Sequence, residues 1–366
     1  MLQPLWLTLT ALGFSDPAQT STPSMNPDIA LILDVAGAYL STDEPLPAGG
    51  HDPARTGFNL QQLELTVGAA VDPFLRFDAS LVFLTEGVEL EEAYGTTQAL
   101  PGGLQARAGQ FLTRFGRQNA IHPHGWAFAD QPLVLGKFLG PEGARGLGAE
   151  LAWLAPLPWF VELVGSATHG AAEHGHGEEE ASGEETESTN ALEELVYTLA
   201  LEQFFALDDD WGISFGLSGQ LGPYPTSPKE RTQLVGADLH VRYKPVDSSR
   251  HAALTWTTEA LWRVRELPGA APTDVGGYTQ LVWNLNPEWE LGARYELVTG
   301  SADEPEQLDW PGDRTRISAQ LTYYPSHFAR LRLQGAHDQP EWRDEPRWSA
   351  FLALELIVGA HGAHAY

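Results

Sequence analysis

One stretch of the sequence concentrates side chains that bind metal ions. Residues 168–189 read THGAAEHGHGEEEASGEETEST, with three histidines and seven glutamates among small residues. Imidazole and carboxylate groups form the N/O ligand set that suits zinc, and His174 and His176, spaced i, i+2, can converge on one ion in an extended or turn backbone. The candidate ligands in this stretch are His169, Glu173, His174, His176, Glu178 and Glu179.

Glycines within this stretch leave its backbone flexible. Flexibility favours weak capture at several places over one rigid site, so we expect labile Zn²⁺ and no tightly bound cofactor. The alternative is a solvated acidic loop that keeps the surface hydrophilic or contacts lipopolysaccharide through bridging Mg²⁺ or Ca²⁺.

A second segment, 112–145, mixes charged and aromatic residues and is too long for an idle connection. If it folds inward, its charged residues line a pore constriction, and His122 and His124, separated by Pro123, offer a second metal site. Two alternatives stay open: the arginines pair with buried carboxylates of the surrounding wall, and the histidines only pack beneath Trp126. The constriction candidates are Arg114, Arg117, Asp130 and Lys137.

Composition limits the partners and the chemistry of the chain. Its 366 residues are 43% hydrophobic, which is enough for a large core, and the formal net charge of −28 repels nucleic acid and favours cations. There is no cysteine, so disulfides and thiolate chemistry are excluded. No run approaches the roughly 20 consecutive apolar residues that a membrane-spanning helix needs.

Alternation with a period of two recurs along most of the chain. In 63–71, 235–243 and 317–323, apolar residues alternate with polar or small ones. Short, turn-rich connections also alternate with long polar ones, with one exception near Gly87. Short turns therefore fall at one end of the fold and long loops at the other.

These features predict an all-β fold, a transmembrane up-and-down antiparallel barrel of sixteen strands with an inward constriction loop. A water-soluble β-sandwich is the alternative, because alternation alone does not separate the two. Sixteen strands enclose an aqueous path and leave both chain ends on the periplasmic side. The predicted strands span 27–40, 58–71, 74–85, 89–97, 104–111, 146–154, 159–168, 193–205, 211–221, 232–244, 251–265, 275–285, 289–297, 314–324, 327–336 and 346–358.

The predicted organisation has two parts. Residues 1–26 form a signal peptide and a disordered N-terminal segment. Residues 27–366 form the barrel, with an acidic, His-rich extracellular loop at 169–192.

Charged residues on the polar strand faces are expected to line the lumen. There they either create a transverse field that selects ions or form salt bridges that only stabilise a polar wall. The basic residues are Arg242, Lys244, Arg263, Arg265, Arg294, Arg316, Arg330 and Arg332, and the acids include Glu64, Asp78, Glu259, Glu290 and Glu296.

The chain resembles porin-like barrels of Gram-negative bacteria that are often named zinc-regulated TonB-dependent outer membrane receptors. The resemblance rests on GQFLTRFGRQNAIHPHGWAFADQPLV (109–134), on the His- and Glu-rich loop, and on the GAHGAH tail (359–364) before a final aromatic residue. It implies an outer-membrane location and a link to zinc. In contrast to plug-gated receptors, we expect no plug domain before the first strand. We expect His361 and His364 in the tail to lie at the barrel rim, the alternative being that they receive metal leaving the pore.

Enzyme motifs are absent in recognisable form, including HExxH and a phosphate-cradling glycine loop, so we expect no enzymatic activity. The expected function is a porin-like channel for small solutes that assists uptake of zinc or other divalent cations. The alternatives are a non-transporting protein that buffers metal or adheres, and an outer-membrane hydrolase. Expected partners are outer-membrane lipid and lipopolysaccharide, divalent metal ions or small solutes, the barrel assembly machinery and further copies of the chain, but not nucleic acid.

Overall fold

The structure is a computed structural model that describes residues 27–85, 87–170, 192–224, 227–247, 252–266, 270–300 and 310–359. The predicted signal peptide, most of the acidic loop and the histidines of the C-terminal tail lie outside these residues. Of the predicted metal ligands, Glu173, His174, His176, Glu178 and Glu179 lie outside them as well.

Sixteen antiparallel strands close into a barrel, which confirms the predicted fold. Each strand pairs with the next along the chain, and β1 pairs with β16 to close the cylinder, with Leu33 opposite Leu356. The strands are β1 (Asp28–Leu40), β2 (Gly57–Ala70), β3 (Leu75–Phe83), β4 (Val88–Thr97), β5 (Leu104–Leu112), β6 (Arg145–Leu154), β7 (Phe160–His169), β8 (Leu195–Ala206), β9 (Trp211–Tyr224), β10 (Ser227–Tyr243), β11 (Ala253–Arg265), β12 (Thr273–Asn284), β13 (Trp289–Val298), β14 (Arg314–Ser326), β15 (Ala329–Pro340) and β16 (Arg347–Gly359). One α-helix, α1 (Leu133–Leu139), and the 3₁₀ turns Pro101–Gly103 and Pro123–Gly125 complete the described elements.

The outer surface of the barrel is apolar and the inner surface is polar. On β13, Leu291, Tyr295 and Leu297 are exposed on the outside, whereas Arg294 and Glu296 are buried inside. Among the residues that the structure describes, no helix has the length and hydrophobicity needed to cross a membrane.

Aromatic pairs join neighbouring strands at the short-turn end. The ring centroids of Trp211 and Tyr243 lie 4.8 Å apart, and those of Trp289 and Tyr323 lie 4.7 Å apart. Such rings suit the boundary between hydrocarbon and water. They therefore mark one edge of the apolar band.

One predicted loop is a paired hairpin instead. Residues 222–231 are polar and rich in proline, which predicts a loop, but β9 extends to Tyr224 and β10 begins at Ser227. Backbone pairing continues there, with Thr232 opposite Gly222 and a bulge between Ser227 and Arg231. The sequence of this segment carries no period-two alternation, so it did not indicate a strand.

Two β-bulges turn consecutive side chains toward the interior. Between β3 and β4, Ser80 lies opposite Glu92 and Leu81 lies opposite Leu90, so Glu91 is an extra residue. Both Glu91 and Glu92 are consequently buried, although neighbours in a regular strand face opposite sides. A second bulge, between β1 and β2, makes Gln61 the extra residue.

The segment between β5 and β6, residues 113–144, folds into the barrel, as predicted, and is called the constriction loop below. Its apolar residues pack against apolar residues on the inner faces of β10 to β13. The otherwise polar lumen therefore contains a buried hydrophobic core. From the loop come Phe115, Leu133, Val134, Leu135 and Phe138, and from the wall come Leu234, Leu261, Tyr278 and Val298.

Candidate functional site: the constriction loop and the lumen

Ion pairs bind the constriction loop to one side of the wall. Asp130 lies 2.5 Å from Arg294 and 3.1 Å from Arg316. Burial alone would raise the pKa of Asp130, but the two guanidinium groups hold it below its usual value. Glu296 in turn lies 2.9 Å from Arg316 and accepts a hydrogen bond from the backbone N–H of Leu133, at 2.8 Å.

Further anchors use backbone carbonyls of the loop and of the wall. Arg330 donates to the carbonyl of Trp126 at 3.0 Å, and Lys137 donates to the carbonyl of Thr299 at 2.6 Å. Burial lowers the pKa of Lys137 to about 8. Asp130 and Lys137, which the sequence predicted to line the constriction, are 3% and 5% exposed, so they anchor the loop beneath its surface.

The basic residues of the wall are mostly neutralised by adjacent acids. Arg263 lies 2.9 Å and Arg265 lies 2.5 Å from Asp274, and Arg314 pairs with Asp338. For these residues the geometry is that of wall salt bridges, one of the two alternatives that the sequence left open. Lys244, predicted to face the lumen, is exposed just beyond β10.

The loop between β1 and β2, residues 41–56, covers the outer part of the constriction loop. Asp52 accepts a hydrogen bond from the backbone N–H of Gln131 at 2.8 Å, and His51 lies 3.2 Å from Glu142. Burial alone would lower the pKa of His51, but its hydrogen bond to Glu142 and the charge of that carboxylate raise it to about 9. The imidazolium and the carboxylate therefore form an ion pair near neutral pH.

Arg114 and Arg117 extend from the other side of the constriction loop. Arg114 bridges Glu150, at 2.9 Å, and Glu162, at 2.7 Å. The backbone N–H of Arg117 donates to Glu259 at 3.2 Å. The pairing of Arg114 matches the alternative in which arginines neutralise wall carboxylates, and it places this side chain between the loop and β6 and β7.

Burial of the inner wall is uneven around the barrel. Beneath the constriction loop, Ser318 and Gln334 are each 1% exposed. On β8 to β10 the inward side chains are mixed: Thr198, Ser218 and Asp238 are 6% to 8% exposed, whereas Glu202, Ser214, His240 and Arg242 stay partly exposed. The loop therefore packs most densely against the side of the lumen formed by β12 to β16, and the partly exposed group Glu202, Ser214, His240 and Arg242 marks the space that remains beside it.

Two histidines of the constriction loop meet glutamates of β2 and β4. His122 Nδ1 lies 3.0 Å from Glu91 Oε2 and 3.4 Å from Glu64 Oε1, and its Nε2 lies 2.9 Å from Glu92 Oε2. His124 Nδ1 lies 2.6 Å from Glu64 Oε2. In the part of the chain that the structure describes, one group brings three metal-ligating atoms within 4.8 Å of one another, and it consists of Glu64, Glu91 and His122.

The sequence pointed to the two histidines but not to Glu91 and Glu92. A signal was present, because the adjacent glutamates in VELEEAY interrupt the alternation of β4. Such an interruption is typical of a bulge. His169, the one described ligand candidate from the acidic stretch, ends β7 and does not belong to this group.

Sequence comparison relates the chain to a protein of Aquifex aeolicus. The chain is 30% identical to an uncharacterized protein of Aquifex aeolicus over 97% of this chain and 83% of that protein, and it therefore belongs to the same family. No protein-family model matches the chain.

Solved structures with similar folds are proteins of the bacterial outer membrane. A loop L8 deletion mutant of the outer membrane protein OmpT of Vibrio cholerae has a TM-score of 0.57 at 10% identity, covering 91% of this chain and 99% of that one. An anion-selective porin of Comamonas acidovorans has a TM-score of 0.57 at 11% identity, with the same coverage. The outer membrane channel DcaP of Acinetobacter baumannii has a TM-score of 0.57 at 11% identity, covering 91% and 97%. The fold is thus that of bacterial outer-membrane porins, as predicted.

Proposed function

We propose that this protein is an outer-membrane channel. Small hydrophilic solutes diffuse through it along the β7 to β10 side of the constriction loop. The uneven burial of the inner wall carries this proposal. The inward polar side chains Glu202, Ser214, His240 and Arg242 on β8 to β10 keep access to water, whereas Ser318 on β14 is 1% exposed beneath the loop. A polar, partly hydrated side of a closed barrel is the arrangement that conducts small solutes.

Cations are the solutes that the charges favour. Along the proposed path, Glu162, Glu202 and Asp238 face the space into which Arg114 and Arg117 extend. Arg114 is already paired with two carboxylates. Opposed charges order the water in a narrow path, and the net charge of −28 raises the local concentration of cations.

Reversal potentials in planar bilayers test the path and its selectivity together. Under a KCl gradient, we expect a cation-selective reversal potential and discrete conductance steps. Arg117→Glu should raise the cation preference further, because it changes the charge on the path by two units. Arg343→Glu, which makes the same change where Arg343 pairs with the exposed Glu44, serves as the control. A folded barrel without conductance, or equal effects of the two variants, would contradict the proposal.

The acidic stretch at 168–189 supports a more specific role, in which the channel assists uptake of zinc or other divalent cations. Its histidines and glutamates offer N/O ligands suited to zinc. Deletion of 171–189 should lower the number of Zn²⁺ ions bound per chain while leaving K⁺ conductance intact. Unchanged zinc binding in equilibrium dialysis would remove this stretch from the proposed function.

A further inference from the structure

Three carboxylates converge on one imidazole where the constriction loop meets β2 and β4. Both nitrogens of His122 face carboxylate oxygens: Nδ1 faces Glu91 and Glu64, and Nε2 faces Glu92. The three glutamates are 0% to 8% exposed, so their charges are largely removed from water. A buried group of carboxylates requires compensating positive charge.

A proton on His122 supplies one such charge. Both ring nitrogens lie within 3.0 Å of a carboxylate oxygen, Nδ1 of Glu91 and Nε2 of Glu92, so each can carry a proton that faces negative charge. Three glutamates contribute three negative charges, an imidazolium at His122 balances one of them, and His124, whose Nδ1 lies 2.6 Å from Glu64 Oε2, can balance a second. A divalent cation in place of the Nδ1 proton would balance two.

The distances between the possible ligand atoms fit a small metal ion. Two ligands of a tetrahedral zinc ion, each about 2.1 Å from the metal, lie about 3.4 Å apart. His122 Nδ1 lies 3.0 Å from Glu91 Oε2 and 3.4 Å from Glu64 Oε1. The ligand atoms of Glu64, Glu91 and His122 all lie within 4.8 Å of one another, so side-chain adjustments without backbone movement bring the three to ligand spacing.

The surrounding hydrogen bonds fix the orientation of each ligand. Glu92 Oε2 lies 2.9 Å from His122 Nε2, so it accepts the remaining ring proton and leaves Nδ1 for the metal. Such a carboxylate behind a ligating histidine holds the tautomer and the ring orientation. Glu64 is held from both sides, by Ser80 Oγ at 2.7 Å and by His124 Nδ1 at 2.6 Å.

The bulge in β4 is what makes this arrangement possible. In a regular strand, one of the two adjacent residues Glu91 and Glu92 would face the membrane. Because Glu91 is the extra residue, one carboxylate reaches Nδ1 of His122 while its neighbour reaches Nε2. Bulges that re-aim side chains in this way are frequent next to functional sites.

We propose that Glu64, Glu91 and His122 bind one divalent transition-metal ion of the zinc class, with Glu92 as the positioning residue for His122, and that this ion clamps the constriction loop to β2 and β4. Three protein ligands leave a fourth position for water. The ion joins two strands of the wall to the loop, and its binding does not depend on conduction through the barrel.

Metal content and affinity test the site in the purified full-length barrel. Each protein is first stripped of metal with a chelator and then dialysed against Zn²⁺. The parent chain should retain one more ion than the Glu91→Gln or His122→Gln variant. Any ions bound by the acidic stretch at 168–189 add equally to the parent and to each variant. Co²⁺ should give a visible ligand-field absorption that these variants lose. Glu92→Gln should keep the ion but weaken its binding by about 10- to 100-fold.

Glu142→Gln is the matched control, because Glu142 pairs with His51 in the same region and, among the described residues, this pair belongs to no group of three metal-ligating atoms. Heat-modifiable electrophoretic mobility checks that each variant forms a barrel. If Glu91→Gln and His122→Gln variants that fold bind as many ions as the parent, with the same Co²⁺ absorption, the site is overturned. If the two variants fail to fold, the affinity of Glu92→Gln decides: an unchanged value overturns the proposal.

The absence of cysteine from the sequence allows a direct test of the clamp. A nitroxide on Ala120→Cys, an exposed position two residues from His122, should become more mobile when metal is removed and less mobile when Zn²⁺ returns. A nitroxide on Asp43→Cys, exposed in the loop between β1 and β2, should not respond. An Ala120 label that is indifferent to Zn²⁺ would contradict the clamp.

Discussion

Single residues set how closely the constriction loop approaches the wall. Gly116 has a φ of +62°, and a Cβ atom there would lie 1.8 Å from Glu259 Oε1. Its N–H donates to Ser218 Oγ at 2.8 Å, beside the hydrogen bond from Arg117 to Glu259. A glycine at this position thus lets the loop backbone contact the wall directly.

Gly116→Ala should displace the loop from β9 and β11. The left-handed conformation alone costs a non-glycine residue about 1–2 kcal/mol, and the contact with Glu259 forces a further shift. Because Arg114 and Arg117 flank Gly116, single-channel conductance should change. Gly37→Ala is the control, since no atom lies within 4 Å of a Cβ placed there. Identical conductance for both variants would contradict this role of Gly116.

The ion pair of His51 and Glu142 predicts a pH dependence of stability. The pKa of His51 is raised from 6.5 to about 9, so the pair contributes fully below pH 6.5 and is lost as the pH rises through about 9. Thermal unfolding of the parent in detergent should therefore lose stability between these pH values relative to His51→Gln. Parallel pH profiles for the two proteins would show that His51 is neutral in the folded chain.

Sequence predicts the residue types of the site better than their contacts. His122 and His124 stand out because they are paired in a charged loop, but Glu91 and Glu92 are assigned to one strand whose alternation places only one of them inside. The bulge depends on pairing with β3, which is a non-local property. The contact between Glu91 and His122 therefore could not be predicted from the sequence alone.

At the scale of elements, the constriction loop is held by buried charges. Asp130 contacts both Arg294 and Arg316, and Glu296 adds a second carboxylate next to Arg316. Removing one partner from such a group leaves another charge buried without compensation. The loop is therefore expected to respond strongly to changes at Asp130.

Asp130→Asn should destabilise the loop by about 3–5 kcal/mol, because it leaves two guanidinium groups with less compensation. The expected readouts are a lower midpoint of denaturant unfolding and noisier single-channel currents. Glu44→Gln removes the partner of Arg343 at a side chain that is 70% exposed, and it should cost at most about 1 kcal/mol. Equal losses in the two variants would contradict the anchoring role of Asp130.

The elements themselves were largely predictable. All sixteen predicted strands are present, with β9 and β10 extending into the predicted loop at 222–231, because lipid on one side and water on the other impose the alternation. The inward course of residues 113–144 also followed from length and charge. The side of the lumen that the loop occupies did not, since it depends on apolar contacts with Leu234, Leu261 and Tyr278 on strands far away in the sequence.

At the scale of the whole molecule, the barrel divides into a packed side and an open side. The inward side chains of β14 and β15 beneath the constriction loop are buried, whereas Glu202, Ser214, His240 and Arg242 on β8 to β10 keep partial exposure. This asymmetry is the central claim, because the proposed path for solutes follows from it. Both sides belong to one closed barrel with an apolar exterior, so they differ only in the lumen.

Cysteine accessibility during conduction tests that claim most directly. Ser214→Cys on β9 and Ser318→Cys on β14 are isosteric changes at inward positions on the open and packed sides, in a chain that has no other cysteine. A bulky, charged methanethiosulfonate added to a single open channel should reduce current through Ser214→Cys and leave Ser318→Cys unchanged. Block of Ser318→Cys with no effect on Ser214→Cys would place the path on the other side of the loop and contradict the account.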